Sequence, residues 1–191
     1  MRIKKSHVIR EWVEAFVVAA VIVTILRTFL FQIYKIPTKS MVPTLIPKDK
    51  IFVTKLLYGP KVPFTKLRIH GFRKPKRGEV VVFVPPHDRK KVYIKRLVGL
   101  PGESVRIKDG NIYVDGKIVV DPGIAKNIYT NQGEYAEEGR LVFIPEGKYF
   151  FLGDNSRYSA DSRFWGFVDE VDIVGKAIFI WWPFYRVKLI E

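Results

Sequence analysis

Hydrophobic positions along this chain follow two rhythms, and the change from one to the other falls in the mid-thirties. Ala15 through Phe31 is apolar apart from Thr24, Arg27 and Thr28, and the run stretches to Ile33. A bilayer-spanning helix needs roughly 20 apolar residues, with about 17 tolerated. Arg27 lies near one end, where a guanidinium can snorkel to the interface. The pattern predicts a spanning helix over residues 13–33. A basic leader precedes it, residues 1–12 with Arg2, Lys4, Lys5 and Arg10, as it would in a cleavable secretory signal. The residues that follow, Tyr34-Lys35-Ile36-Pro37, offer no small-x-small cleavage site, so the expectation is an uncleaved anchor. Lysines on both sides of the run leave the positive-inside rule with only a slight bias toward a cytoplasmic leader.

After residue 34 the period shortens to that of β-structure. Strands are predicted at Lys50 to Lys55, Glu79 to Val84, Val92 to Val98, Ser104 to Ile107, Asn111 to Val114, Lys117 to Val120, Lys148 to Leu152 and Val174 to Trp182. Asp109-Gly110 and Asp115-Gly116 mark tight turns between three of them. Many short strands punctuated by Gly and Pro predict a mainly β fold, a sandwich or partly open barrel occupying residues 34–191. Two stretches read as irregular: 58–76, basic and with prolines at 60, 63 and 75, and 122–139. For exposed aromatics there, such as Phe64 or Tyr135, packing or plugging of a loop is a better expectation than contact with lipid.

Composition narrows the partners. The 191 residues leave room for one sizeable core after the anchor, and 48% hydrophobic content argues against disorder. Cysteine is absent and histidine occurs three times, which removes disulfides, a thiol nucleophile and a structural zinc site from the expectation. A net charge of +14 fits either nucleic acid or an anionic membrane. The densest clusters, Lys74-Pro75-Lys76-Arg77 and Arg89-Lys90-Lys91, lack the interleaved aromatics of a base-stacking surface. A tethered domain gains about 1 kcal/mol per Lys or Arg near anionic lipid. A phospholipid membrane, and no nucleic acid, is the expected partner.

Candidate chemistry gathers just past the anchor. In Ile36-Pro37-Thr38-Lys39-Ser40-Met41-Val42-Pro43-Thr44-Leu45, two prolines bracket a serine, fixing φ near −65° at each and biasing the preceding residues toward extended backbone. Ser40 is expected on a stiff extended segment close to the bilayer, suited to a nucleophile, although a proline-rich exit from a helix looks the same. The candidate histidine bases are His70 and His87, since His7 lies on the leader side; neither sits in a triad motif. A lysine can take the role if its pKa falls by several units from about 10.4 through desolvation or a neighbouring cation. Lys95, between apolar strand neighbours, and Lys55, between Phe52-Val53-Thr54 and Leu56-Leu57, both qualify, and the residues alone do not choose between them. Gly153 to Gly166 reads as a polar loop in which Asp161 and Arg163 can pair.

Four segments, in order, resemble the conserved boxes of bacterial type I signal peptidases. They are Pro37 to Leu45, Asp49 to Lys55, Tyr93 to Glu103, and Gly153 to Gly166. The third matches Tyr-Ile-Lys-Arg-x-Val-Gly-Leu-Pro-Gly-Asp except that Glu103 stands where Asp is usual. The fourth matches Gly-Asp-Asn-x-x-x-Ser-x-Asp-Ser-Arg, with Ser156-Arg157-Tyr158 in the variable positions. The resemblance implies a membrane-anchored serine endopeptidase of the bacterial cytoplasmic membrane. Its domain would lie on the extracytoplasmic face and remove signal peptides from preproteins after Ala-x-Ala-like sites, without metal or organic cofactor. It further implies Ser40 as nucleophile, Lys95 as general base, and the Thr38 hydroxyl with the Ser40 N–H as oxyanion donors. Ser159 would hydrogen-bond and orient Lys95, and Asp154, Asp161 and Arg163 would brace the loop. Tyr34, Ile36, Met41, Leu45, Ile51, Tyr93 and Ile94 would form the substrate pockets, and Lys55 would be structural. Against this stand a tethered β module that binds lipid or peptide without chemistry, and a maturation peptidase with narrower substrates.

Overall fold

A computed structural model of the chain describes residues 5–62, 65 and 67–191. Arg2 and Lys4 of the expected leader lie outside the described residues, as do Pro63, Phe64 and the side chains of Lys5 and His7. Helix α1 (Lys5–Ile25) continues through one π-helical turn, Leu26–Leu30. Val8–Leu30 has a mean hydropathy of 2.2 over its apolar window, none of it buried, and is long and apolar enough to cross a membrane.

Twelve strands follow among the described residues. In chain order they are β1 (Phe31–Lys35), β2 (Lys50–Thr54), β3 (Val80–Phe83), β4 (Tyr93–Gly99), β5 (Ser104–Lys108) and β6 (Asn111–Val114). Then come β7 (Lys117–Ile118), β8 (Val142–Phe143), β9 (Lys148–Leu152), β10 (Val168–Asp169), β11 (Ile173–Trp182) and β12 (Lys188–Leu189). The larger sheet runs β1-β2-β11-β3-β4-β9-β10 with β12 added to β11; the smaller runs β7-β6-β5-β8. All pairings are antiparallel. The larger sheet curls into a half-barrel. Register shifts along β11 and in β4 bend and twist the ribbon as bulges do. At one of them, a Cβ on Gly175 would collide with the Thr54 carbonyl oxygen, so only glycine lets β11 approach β2 there.

The apolar helix stops at Leu30, three residues short of the boundary expected for a spanning helix at Ile33. Phe31–Lys35 instead forms the edge strand, with Phe31 opposite Thr54, Ile33 opposite Phe52 and Tyr34 opposite Ile51. Gln32 interrupts the apolar run with a polar residue, and the open edge of β2 offers these five residues a ladder of backbone partners. Strand expectations elsewhere match within a residue or two, except that the predicted 117–120 strand shortens to two residues. The two-residue strands β8, β10 and β12 carry too little pattern to read.

Val80 to Val84 is a continuous apolar run because β3 is buried on both faces. Val80 and Val82 join one cluster with Ile36, Met41, Leu45 and Ile51, while Val81 and Phe83 join another with Leu97 and Phe151. A third cluster fills the space against the smaller sheet. Residues 122–139 are more than a surface excursion: α2 (Pro122–Ala125) and the turns after it bury Ile124, Tyr129 and Ala136 in that third cluster. Tyr135 packs edge-on to Phe167 at 5.6 Å. The 58–76 loop is pinned by Arg68, which donates to the carbonyls of Gly59, Glu170 and Ile173.

Phe151 is fully buried and stacks on Phe83 with ring centroids 4.4 Å apart. Phe151→Ala is expected to lower unfolding free energy by about 3–5 kcal/mol in urea titrations in detergent; a loss below about 1 kcal/mol would contradict this packing.

Candidate active site

β1 leads straight to Ser40. Ile36 is buried, its N–H donating to Asp49 O at 2.8 Å, while Lys48 N donates to Ile36 O at 2.9 Å. The chain then turns rather than remaining extended as expected. Val42 N donates to Lys39 O at 3.1 Å and Leu45 N to Met41 O at 2.8 Å. Met41 and Leu45 are both fully buried, and their insertion into the core pulls the segment back on itself. Ser40 is therefore held by its apolar neighbour and a closed turn, not by proline stiffness alone.

Lys95 arrives from the middle of β4, opposite Val81. Its Nζ donates to Ser40 Oγ at 2.6 Å and to Ile94 O at 3.1 Å; lysine and serine are each 5% exposed. Burial pulls the Lys95 pKa down to about 8; the Asp161 and Asp154 carboxylates oppose the shift and the Arg163 guanidinium adds to it. At pH 7 about one Lys95 in ten is then neutral, against one in a few thousand for a free lysine. The Thr38 hydroxyl lies 3.4 Å from Ser40 Oγ. Among the described residues neither His70 nor His87 hydrogen-bonds Ser40; His87 Nε2 is 3.3 Å from the Tyr93 hydroxyl. Lys55 is nowhere in this cluster: its ammonium donates to the carbonyls of Arg27 and Thr28.

Two buried ion pairs flank the lysine. Arg163 and Asp161 are each fully buried, with Arg163 Nε 2.8 Å from Asp161 Oδ1 and Nη2 2.9 Å from Oδ2. The remaining donors of Arg163 reach Thr130, Ser156 and Ser159 O. Arg96, the residue after Lys95, points to the opposite face and forms a two-bond fork to Asp154 at 2.7 Å in each arm. Thr44 Oγ1 donates to the same carboxylate. Each acid is paired with its own arginine, so its pull on the Lys95 proton is weaker than that of an unpaired carboxylate.

The 153–166 loop also grips Ser40 directly. Asn155 N donates to Ser40 O at 3.0 Å and Asn155 Nδ2 to Lys39 O at 3.1 Å. Gly153 lies so close that a Cβ there would be 2.6 Å from Ser40 O and would collide with Ser159 Oγ. Sequence reasoning assigns no role to Gly153 or Asn155, although both stand at fixed positions of the box. The expected hydrogen bond from Ser159 to Lys95 is not made: Ser159 Oγ is buried without a partner. The ammonium is occupied by Ser40 and the Ile94 carbonyl, and the Ser159 side chain faces Gly153.

A cleft of about 560 Å³ opens beside the pair, lined by Thr38, Ser40, Tyr93, Ile94, Lys95, Tyr158 and Ala160 among others. A much smaller recess of about 40 Å³ adjoins it, bounded by Tyr34, Ile36, Ile51, Val82, Val92, Tyr93 and Ile94. Five of the seven expected pocket residues thus line the recess. Met41 and Leu45 line neither space, because both are sealed in the core behind it. Val82, Val92, Tyr158 and Ala160 are additions that the sequence does not single out, and Tyr158 gives the variable trio a place at the cleft.

The chain matches the family model described as signal peptidase, peptidase S26, over residues 9–182. It is 34% identical to a signal peptidase I of Pseudomonas aeruginosa, covering 95% of this chain and 76% of that one. A probable signal peptidase I-2 of Synechocystis is 37% identical over 98% of this chain and 81% of its own. For a signal peptidase I of Bacillus licheniformis the figures are 35%, 96% and 94%. A crystal structure of a signal peptidase I from Enterococcus faecalis aligns with 55% of this chain and 97% of its own at 33% identity, with a TM-score of 0.45.

Gly153→Ala is expected to lower turnover about a hundredfold while leaving far-ultraviolet circular dichroism unchanged, since the added methyl must displace the Ser40 peptide. Turnover within about twofold of wild type would show that the close approach is dispensable.

Proposed function

The chain belongs to the signal peptidase family, peptidase S26, and from that premise we propose that Ser40 and Lys95 form its catalytic dyad and that it cuts preproteins after small-x-small sites. Members of this family are serine endopeptidases that remove signal peptides, and in bacteria they are membrane-associated. The observation that carries the dyad is the 2.6 Å contact between Ser40 Oγ and an ammonium buried enough for its pKa to fall to about 8.

In this reading neutral Lys95 accepts the Ser40 proton as Oγ attacks the scissile carbonyl. The Thr38 hydroxyl and Ser40 N–H receive the oxyanion, a donor set in which a single loss typically costs about 2.7–4 kcal/mol. Collapse expels the amine, which takes the proton from Lys95, and leaves an acyl group on Ser40. Lys95, neutral again, activates the water that releases it. The unpartnered Ser159 hydroxyl is an acceptor within the same buried neighbourhood for the ammonium formed when Ser40 gives up its proton, a role that burial favours because an unpaired cation there is costly. Substrate enters extended along the cleft. The 40 Å³ recess has room for a methyl-sized side chain, and larger ones clash, which supports an Ala-x-Ala preference. The apolar helix holds the domain at the bacterial cytoplasmic membrane, with residues 34–191 on the extracytoplasmic side, where preprotein cleavage sites emerge.

Purified protein in detergent is expected to cut a preprotein once after a small-x-small site, read by mass spectrometry, and Ser40→Ala to abolish the cut. Cleavage persisting in Ser40→Ala would move the nucleophile elsewhere. Proton loss from Lys95 creates the base, so kcat/KM should rise with pH, reach half its maximum near pH 8 and then level off. A profile flat across roughly pH 6–10 would rule out a titrating lysine.

A further inference from the structure

The helix passes into the β domain without a linker. An α-helix leaves its last four carbonyls without intrahelical partners. Here three of them, from Arg27, Thr28 and Leu30, are met by Thr54 at the end of β2 and by Lys55 just after it. Lys55 Nζ donates to Arg27 O at 2.9 Å and to Thr28 O at 3.3 Å, Lys55 N to Leu30 O at 2.9 Å, and Thr54 Oγ1 to Leu30 O at 3.5 Å. A cation at this end also complements the helix dipole. On the outer face, Phe31 stacks on Phe52 at 5.0 Å and Phe52 on Phe179 at 5.1 Å, tying the first residue of β1 to two neighbouring strands. Ser40 follows Leu30 by ten residues, five of them paired in β1. The path from helix to serine has no slack.

We infer that Lys55 is a positioning residue that clamps the anchor to the β domain, fixing the height of Ser40 above the bilayer and so which peptide bond of a membrane-embedded preprotein meets it. The inference rests on Ser40 being the nucleophile of signal peptide cleavage. An extended substrate advances about 3.3 Å per residue, so a tilt of a few ångströms between helix and domain offers the serine a different bond. A free peptide has no such constraint, because it can slide until its small residues fill the recess. Lys55 thus acts only on substrates held in the same membrane as the enzyme.

The test uses the full chain in vesicles of phosphatidylethanolamine and phosphatidylglycerol. Its two substrates are a preprotein inserted in those vesicles and a soluble peptide spanning the same cleavage site. Lys55→Met is expected to process the embedded preprotein about tenfold more slowly, with added cuts a residue or two from the wild-type site, since hydrogen bonds from a charged donor carry that much discrimination. Its kcat/KM on the soluble peptide should stay within about twofold of wild type, and Lys55→Arg, which keeps the donors, should restore the preprotein rate. Equal processing of the embedded preprotein by Lys55→Met and wild type would overturn the inference. So would parallel losses on both substrates, which would make Lys55 a stabilising residue only. Cleavage by a Ser40→Ala control would instead overturn the underlying assignment of the nucleophile.

Discussion

A lysine placed in a nearly dry interior is stable only if it sheds its proton or finds a partner, and the site is built on that constraint. Lys95 is 5% exposed, on a strand whose neighbour β3 is buried on both faces, so little of it meets solvent. The carboxylates brought near it are already paired: Asp154 with Arg96 and Asp161 with Arg163. Had either acid been unpaired, its field would have held the proton on the lysine. Removing one partner of such a pair is costly, about 3–5 kcal/mol in typical cases, so these pairs keep both the loop geometry and the lysine's low proton affinity in place.

The serine is fixed from three directions by different forces. Hydrophobic burial of Met41, the next residue, draws it in, Asn155 holds its carbonyl and that of Lys39, and Gly153 lets the polar loop lie against its backbone. From the other side, the helix end is clamped to β2 and continues as β1. The same few residues that follow the apolar helix therefore begin the site, and the position of the helix end reaches the serine through backbone hydrogen bonds.

Much of this architecture is legible in the amino-acid sequence. The apolar run, the short β periods and the Asp-Gly turns point to the anchor and a mainly β domain, because burial imposes those periods directly. The four boxes single out Ser40 and Lys95. Other features leave no local trace. The anchor reads three residues too long because Phe31, Ile33 and Tyr34 are as apolar as a helix requires, and only the open edge of β2 makes them a strand. Met41 and Leu45 are expected in the substrate pocket yet lie in the core, since sequence conveys hydrophobicity but not which side of a wall a residue occupies. The extended reading of the Ser40 segment fails because turn closure follows from what the core has room for, not from proline preferences.

The two lysines show the division most clearly. By itself the sequence determined that a long apolar helix precedes a β domain, and that Lys55 and Lys95 each have apolar neighbours in or beside a strand. Local context is all that a period or a propensity can encode, and on that scale the two are alike. The family resemblance names Lys95, but only the tertiary structure gives the physical reason, because what decides a lysine's chemistry is what the fold carries to its ammonium from far along the chain. Lys55 meets carbonyls at the end of a helix, which can only accept from it. Lys95, 5% exposed, meets a serine hydroxyl where the nearby acids are each paired with an arginine, and there its neutral form becomes accessible.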